Sequence, residues 1–98
     1  MPKFEAKVFE HGLALIEALA FPIYRELSLK DLAESLDMAP PKVHGLLECA
    51  QRRQWVEQMD DKRWRPAPKL TQLGDCFRRY MAEKQDELMR LAKEHNGA

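Results

Sequence analysis

Ser28-Leu29-Lys30-Asp31-Leu32-Ala33-Glu34-Ser35-Leu36-Asp37-Met38-Ala39-Pro40-Pro41-Lys42-Val43-His44-Gly45-Leu46-Leu47 is the stretch that decides the fold. Ser28 offers the hydroxyl of a helix N-cap, and Asp31, three residues on, completes the cap or meets the positive helix end. Leu29, Leu32, Ala33 and Leu36 then share one helical face. Asp37-Met38-Ala39 is a turn, and Pro40-Pro41 opens a second helix where a missing N–H matters least. In that helix Val43, Leu46, Leu47 and Ala50 repeat at i, i+3, i+4 and i+7. Two short helices joined by about three residues read as a helix-turn-helix. Its second member, Pro40 to Arg53, is the one expected to enter a major groove.

Working outward, the stretch from about Phe4 to Phe21 predicts a first helix, with Val8, Gly12, Leu15, Ile16, Leu19 and Ala20 at helical spacing. Pro22 ends it, because the residue before a proline is pushed out of the helical region. A connector over Ile23 to Ser28 follows, with Leu27 and Leu29 dipping toward the core. Beyond the helix pair, Trp55-Val56-Glu57-Gln58 and Arg63-Trp64-Arg65 flank the polar Met59-Asp60-Asp61-Lys62, which predicts a small antiparallel hairpin. Arg63 and Arg65 fall on one strand face and Trp64 on the other. From Leu70 to about Lys93 the chain is again helical, with a stripe of Leu73, Phe77, Tyr80 or Met81, Leu88 and Leu91, broken at Lys84 and Gln85. A helix of that length spans ~30 Å, so its far half projects into solvent or packs against a second copy. The expected fold is mostly α with a two-stranded hairpin (α+β): a winged helix-turn-helix over residues 1–69 and a C-terminal helix for dimerisation over residues 70–98.

The 98 residues hold 16 Lys plus Arg and 16 Asp plus Glu, a formal net charge of zero. The zero is unevenly made. From Lys42 to Arg79 nine basic residues stand against five acidic ones, an excess of four that the rest of the chain cancels. Such polarity turns one face toward an anion. No apolar run reaches the ~20 residues of a membrane span, the longest, Leu13 to Phe21, being broken by Glu17. Glu5, Glu10 and Glu17 rule out the apolar stretch of a signal peptide, so a cytoplasmic location is expected.

Cys49 and Cys76 are too far apart for a redox pair or half a zinc site. Lying in helical stretches, both are expected to be small buried hydrophobes, although the helical wheel turns Cys49 outward. His11, His44 and His95 are scattered, no glycine-rich phosphate loop is present, and the carboxylates do not converge. Neither an enzyme nor a bound cofactor or metal is expected.

Stepping 100° per residue from Val43 turns Gly45, Glu48, Cys49 and Arg52 away from the buried stripe, with Lys42 and His44 flanking the exposed face. On a DNA-binding reading Lys42 meets a phosphate or guanine, His44 a base edge or phosphate, and Arg52 the backbone. Gly45 permits close approach, and Glu48 accepts from cytosine or repels phosphate. Lys62, Arg63 and Arg65 suit backbone or minor-groove contact by the wing. Trp55 and Trp64 suit packing against the helices. Arg78 and Arg79 either reach phosphates or are solvated.

From Gly12 to Gly74 the chain resembles the N-terminal DNA-binding domain of the IclR family of bacterial transcription regulators. Leu13-Ala14-Leu15-Ile16-Glu17-Ala18-Leu19 is similar to that family's opening helix, and Leu27-Ser28-Leu29-Lys30-Asp31-Leu32-Ala33 to the start of its second. Val43-His44-Gly45-Leu46-Leu47 resembles its recognition helix. Trp55-Val56-Glu57 with Arg63-Trp64-Arg65 resembles its wing, and Pro68-Lys69-Leu70 through Leu73-Gly74 the approach to its linker helix. Pro41 stands where the family tends to have Ser, Gly45 where it usually has Arg, and Pro66 interrupts a strand the family continues with an aliphatic residue. Members usually continue into an effector-binding domain; here the sequence ends at Ala98, and no small-molecule effector domain is expected.

The resemblance implies a sequence-specific regulator that binds double-stranded DNA and acts by operator occupancy, as a homodimer through its first and last helices. The alternative is a winged-helix module that joins a protein assembly without binding DNA, a reading that the zero net charge favours.

Overall fold

A computed structural model describes residues 6–95. The order is α1 (Ala6–Ala20), α2 (Leu29–Leu36), α3 (Pro40–Arg52), β1 (Val56–Gln58), β2 (Trp64–Pro66) and α4 (Pro68–His95). Helix, turn, helix and hairpin follow one another as the sequence predicts, and the architecture is a winged helix-turn-helix. Phe4, where the first helix is expected to begin, lies outside the described residues.

Local chemistry explains the element ends. The Asp31 N–H donates to the Ser28 hydroxyl at 3.1 Å, the N-cap bond that starts α2. Asp37 closes α2 in the left-handed region at φ 52°, a conformation its short polar side chain tolerates. Its neighbour Met38 donates to the Ala33 carbonyl at 3.0 Å. Ala39 offers α3 no side-chain cap, and Pro40 and Pro41 instead supply pre-set φ angles and no orphan N–H.

One core joins the three short helices to the hairpin. Leu15 and Leu19 of α1, Leu32 and Ala33 of α2, Val43 and Leu47 of α3, Val56 of β1 and Trp64 of β2 are all buried. Leu27, Leu29, Leu36, Leu46 and Ala50 pack around them. Val8, although on the helical stripe of α1, is 45% exposed, because the first two turns of α1 extend past the core.

The hairpin pairs Val56 with Pro66, Glu57 with Arg65 and Gln58 with Trp64. Trp55 precedes the first strand and Arg63 the second, so β1 is one residue shorter than the sequence expectation and β2 is shifted by one. Pro66 does not interrupt its strand: it is the buried last residue of β2. Its missing N–H leaves the ladder intact at this terminal position, and Ala67 next donates to the Trp55 carbonyl at 2.9 Å. A further pairing has no counterpart in the sequence pattern. The Leu27 N–H donates to the Trp64 carbonyl (2.9 Å) and the Trp64 N–H to the Leu27 carbonyl (2.7 Å), which ties the connector to the outer edge of the wing.

α4 begins at Pro68, two residues ahead of the expected Leu70, with proline in the first helical position. Its 28 residues include none that is buried, and at 1.5 Å per residue it runs about 42 Å. The radius of gyration is 19.0 Å, against about 13 Å for a compact chain of this size. Both cysteines are exposed and free, which corrects the expectation of burial. Cys49 stands on the outer face of α3, and Cys76 on a helix that has no core to enter.

Candidate nucleic-acid interface

α3 is fixed from behind by Val43 and Leu47, both fully buried, so its opposite face is held toward solvent with little freedom to rotate. Lys42, His44, Gly45, Glu48, Cys49 and Arg52 are all exposed on it. Gly45 leaves open space, since a Cβ there would meet nothing within 4 Å; no packing demand explains the glycine. His44 Nδ1 lies 2.9 Å from Glu48 Oε1, one turn along. The Arg52 guanidinium donates to Cys49 Sγ at 3.2 Å. Among the described residues no carboxylate pairs with Lys42 or Arg52.

The wing is more self-contained. Trp64 is buried, and Arg63 and Arg65 on either side of it point outward, as alternation along the strand requires. Each has a carboxylate partner. The Arg63 guanidinium donates to Asp61 at 2.8 Å and reaches Glu26 at 3.3 Å, and the Arg65 guanidinium donates to Glu57 at 2.7 Å. The Arg63 backbone N–H also donates to Asp61, at 3.0 Å. That backbone bond, then the guanidinium, hold the Asp61 carboxyl below its ordinary value, and the Asp61 contact raises Arg63 in turn.

Lys62 sits at the wing tip with φ 71°, the left-handed position that lets a hairpin loop close. Its N–H donates to the Met59 carbonyl at 2.9 Å, and its own carbonyl accepts from the Gln58 amide at 3.1 Å. The side chain is exposed, with no ion-pair partner among the described residues.

The fold therefore brings the seven sequence-predicted residues into two groups on one scaffold: Lys42, His44, Gly45 and Arg52 on α3, and Lys62, Arg63 and Arg65 on the wing. The counter-charges of the wing escape a reading by sequence. Glu26 belongs to the connector, 37 positions before Arg63, and meets it only because Leu27 pairs with Trp64. Lys69 is a second such residue. Its Nζ donates to the Arg53 carbonyl at 2.9 Å, which satisfies an open carbonyl at the end of α3 and binds the start of α4 to it. Arg78, by contrast, pairs with Asp75 within α4.

Among the described residues no three His, Cys, Asp or Glu side chains gather as a metal site would need. Among the same residues no helix is long and apolar enough to cross a membrane.

Comparison with known proteins agrees with this geometry. The family model for the IclR helix-turn-helix domain matches residues 9–60. The crystal structure of the Thermotoga maritima IclR superposes with a TM-score of 0.64 at 18% identity, over 76% of this chain and 30% of that one. The chain thus spans under a third of the length of that protein. A comparison with curated proteins gives no match. In this family the helix-turn-helix domain is the DNA-binding unit of transcription regulators, and it is not an enzyme family. With its matched segment covering α2, α3, β1 and most of α1, the chain belongs to the IclR helix-turn-helix family.

Proposed function

We propose that this chain is a sequence-specific duplex DNA-binding regulator of transcription, acting in the cytoplasm by occupying an operator as a homodimer. The observation that carries this is the outward face of α3. It is held rigid by Val43 and Leu47, it leaves an empty lane at Gly45, and it presents Lys42 and Arg52 free of carboxylates. Lys42 meets a phosphate or a guanine, His44 a base edge or phosphate, and Arg52 the backbone. The wing lays Lys62, Arg63 and Arg65 along the backbone or minor groove. Each arginine exchanges its carboxylate for a phosphate, a modest cost because exposed ion pairs contribute only ~0–1 kcal/mol. Two copies joined through the exposed apolar faces of α1 and α4 read two half-sites related by the dimer axis.

Fluorescence anisotropy on duplex DNA tests this. Binding weakens steeply with salt, with a logarithmic slope of about −4.5 per protomer if five basic side chains meet phosphates. Changing Arg63 and Arg65 together to Glu abolishes it. The competing reading, a module that binds protein and not DNA, is favoured by the carboxylates that neutralise the wing. Absence of binding at low salt, or indifference to the double change, decides for it.

A further inference from the structure

A carboxylate stands in the middle of the face of α3 that carries the candidate DNA contacts. Stepping about 100° per residue puts Gly45, Glu48 and Arg52 within about 30° of the direction opposite the stripe of Val43, Leu46, Leu47 and Ala50. Lys42 and His44 lie toward the two edges, roughly 70–90° from that direction. Glu48 is thus more central than either. From this placement we infer that Glu48 selects a cytosine in the operator by accepting a hydrogen bond from its N4 amino group. The inference rests on the DNA-binding reading above and names a base that its recognition face requires.

The surroundings of Glu48 keep it able to accept. Arg52, one turn on, is the cation best placed to cancel its charge, yet the Arg52 guanidinium donates to Cys49 Sγ at 3.2 Å. Among the described residues no lysine or arginine pairs with Glu48. Its one ion-pair contact is with His44, whose Nδ1 lies 2.9 Å from Oε1, and both side chains stay about half exposed. That contact takes Oε1 and leaves Oε2 to the groove. Gly45, three residues earlier, is the neighbour of Glu48 on the helix surface. A Cβ there would meet nothing within 4 Å, so bare backbone lies beside the carboxylate and base edges come close to it.

The chemistry of the groove then names the base. A carboxylate brought against a polyanion loses affinity unless a donor meets it. The major groove offers two base donors, N6 of adenine and N4 of cytosine. Adenine sets its N7 acceptor beside N6, and guanine and thymine present acceptors without a donor. Cytosine alone offers a donor with no acceptor on its own edge. A group that only accepts therefore favours cytosine, and opposite any other base it is desolvated without a partner. Lys42 and Arg52 attract phosphates whatever the sequence, and Glu48 opposes them except where the cytosine is present, which widens the gap between operator and random DNA.

Selection of bound duplexes from a random pool tests this, with the unsubstituted full chain and E48Q run in parallel. Glu48 is exposed, and circular dichroism checks that E48Q keeps its helicity. The unsubstituted protein enriches sites with a cytosine that E48Q no longer selects, adenine rising in its place because a glutamine amide pairs with adenine N6 and N7. On the enriched duplex, changing that C·G pair to T·A lowers affinity about tenfold for the unsubstituted protein and by under about twofold for E48Q. The same base preferences in both selections overturn the inference and leave the DNA-binding reading standing. Failure of the unsubstituted protein to bind any duplex at low salt removes the reading and the inference together.

Discussion

At the scale of single residues, the interface sets the unpaired Lys42 and Arg52 of α3 against the paired Arg63 and Arg65 of the wing. Among the described residues no carboxylate pairs with Lys42, so on the DNA-binding reading removing its charge removes one phosphate or base contact and exposes nothing buried. Lys42→Ala should weaken duplex binding and leave the unfolding midpoint unchanged; if Lys42 meets a phosphate, the loss is uniform across sequences and the salt slope falls by about one. Asp61→Asn acts the other way. It releases Arg63 from its nearest counter-charge and adds one unit of positive charge at the wing tip, so non-specific affinity should rise several-fold at low salt. A fall in affinity would show that Asp61 positions Arg63 and does not compete for it. The same pair has a pH signature. Because the Asp61 carboxyl titrates below its ordinary 3.8 in the folded protein, its contribution is present above that value and is lost as pH falls through the lower folded one. An NMR titration of the Asp61 carboxyl carbon should therefore show a midpoint below 3.8, returning to the ordinary range in Arg63→Ala.

Among elements, α2 and α3 depend on ends and stripes that are visible in the sequence. Ser28→Ala removes the one side-chain cap of α2 and should cost about 1 kcal/mol in urea unfolding. Leu47→Ala opens a cavity where α3 meets the core and should cost ~2–5 kcal/mol. The second loss also frees the recognition face to move, so DNA affinity should fall with it. These features were legible because they are local: a cap bond reaches three residues, and a stripe repeats every three or four. What was not legible depends on pairing between distant segments. Leu27 joins Trp64 through two backbone bonds that leave no periodic trace, and that single junction delivers Glu26 to Arg63. Pro66 read as a break because proline lacks a donor, yet at the last register position no donor is needed. The cysteines misled for a related reason. Helical context alone says nothing about whether a core lies beside the helix, and along α4 none does.

Taken as a whole, the molecule is a small globular body with a helix about 42 Å long attached at one corner, and its zero net charge coexists with a DNA-facing surface because the acidic excess lies mainly ahead of α3, over residues 1–41. The body holds α3 and the wing, and α4 carries an exposed apolar stripe of Phe77, Met81, Leu88 and Leu91. Stability and assembly are therefore separable. No residue of α4 is buried, so replacing Phe77 and Leu88 together by Lys should leave thermal unfolding of the winged body within a degree or two of the unsubstituted protein. The same change adds two charges to the apolar stripe of α4 and should leave the protein monomeric by light scattering at tens of micromolar. Affinity for an operator with two half-sites should then drop to about that for a single half-site, because the second contact is no longer made at the high effective concentration of a joined pair. Added positive charge works against this loss, raising rather than lowering non-specific binding, so a drop confined to the two-half-site duplex isolates the contribution of assembly. A large fall in thermal stability would instead show that α4 folds back onto the body in solution. An unchanged dimer would place the contact on α1 and its exposed Val8, Phe9 and Leu13.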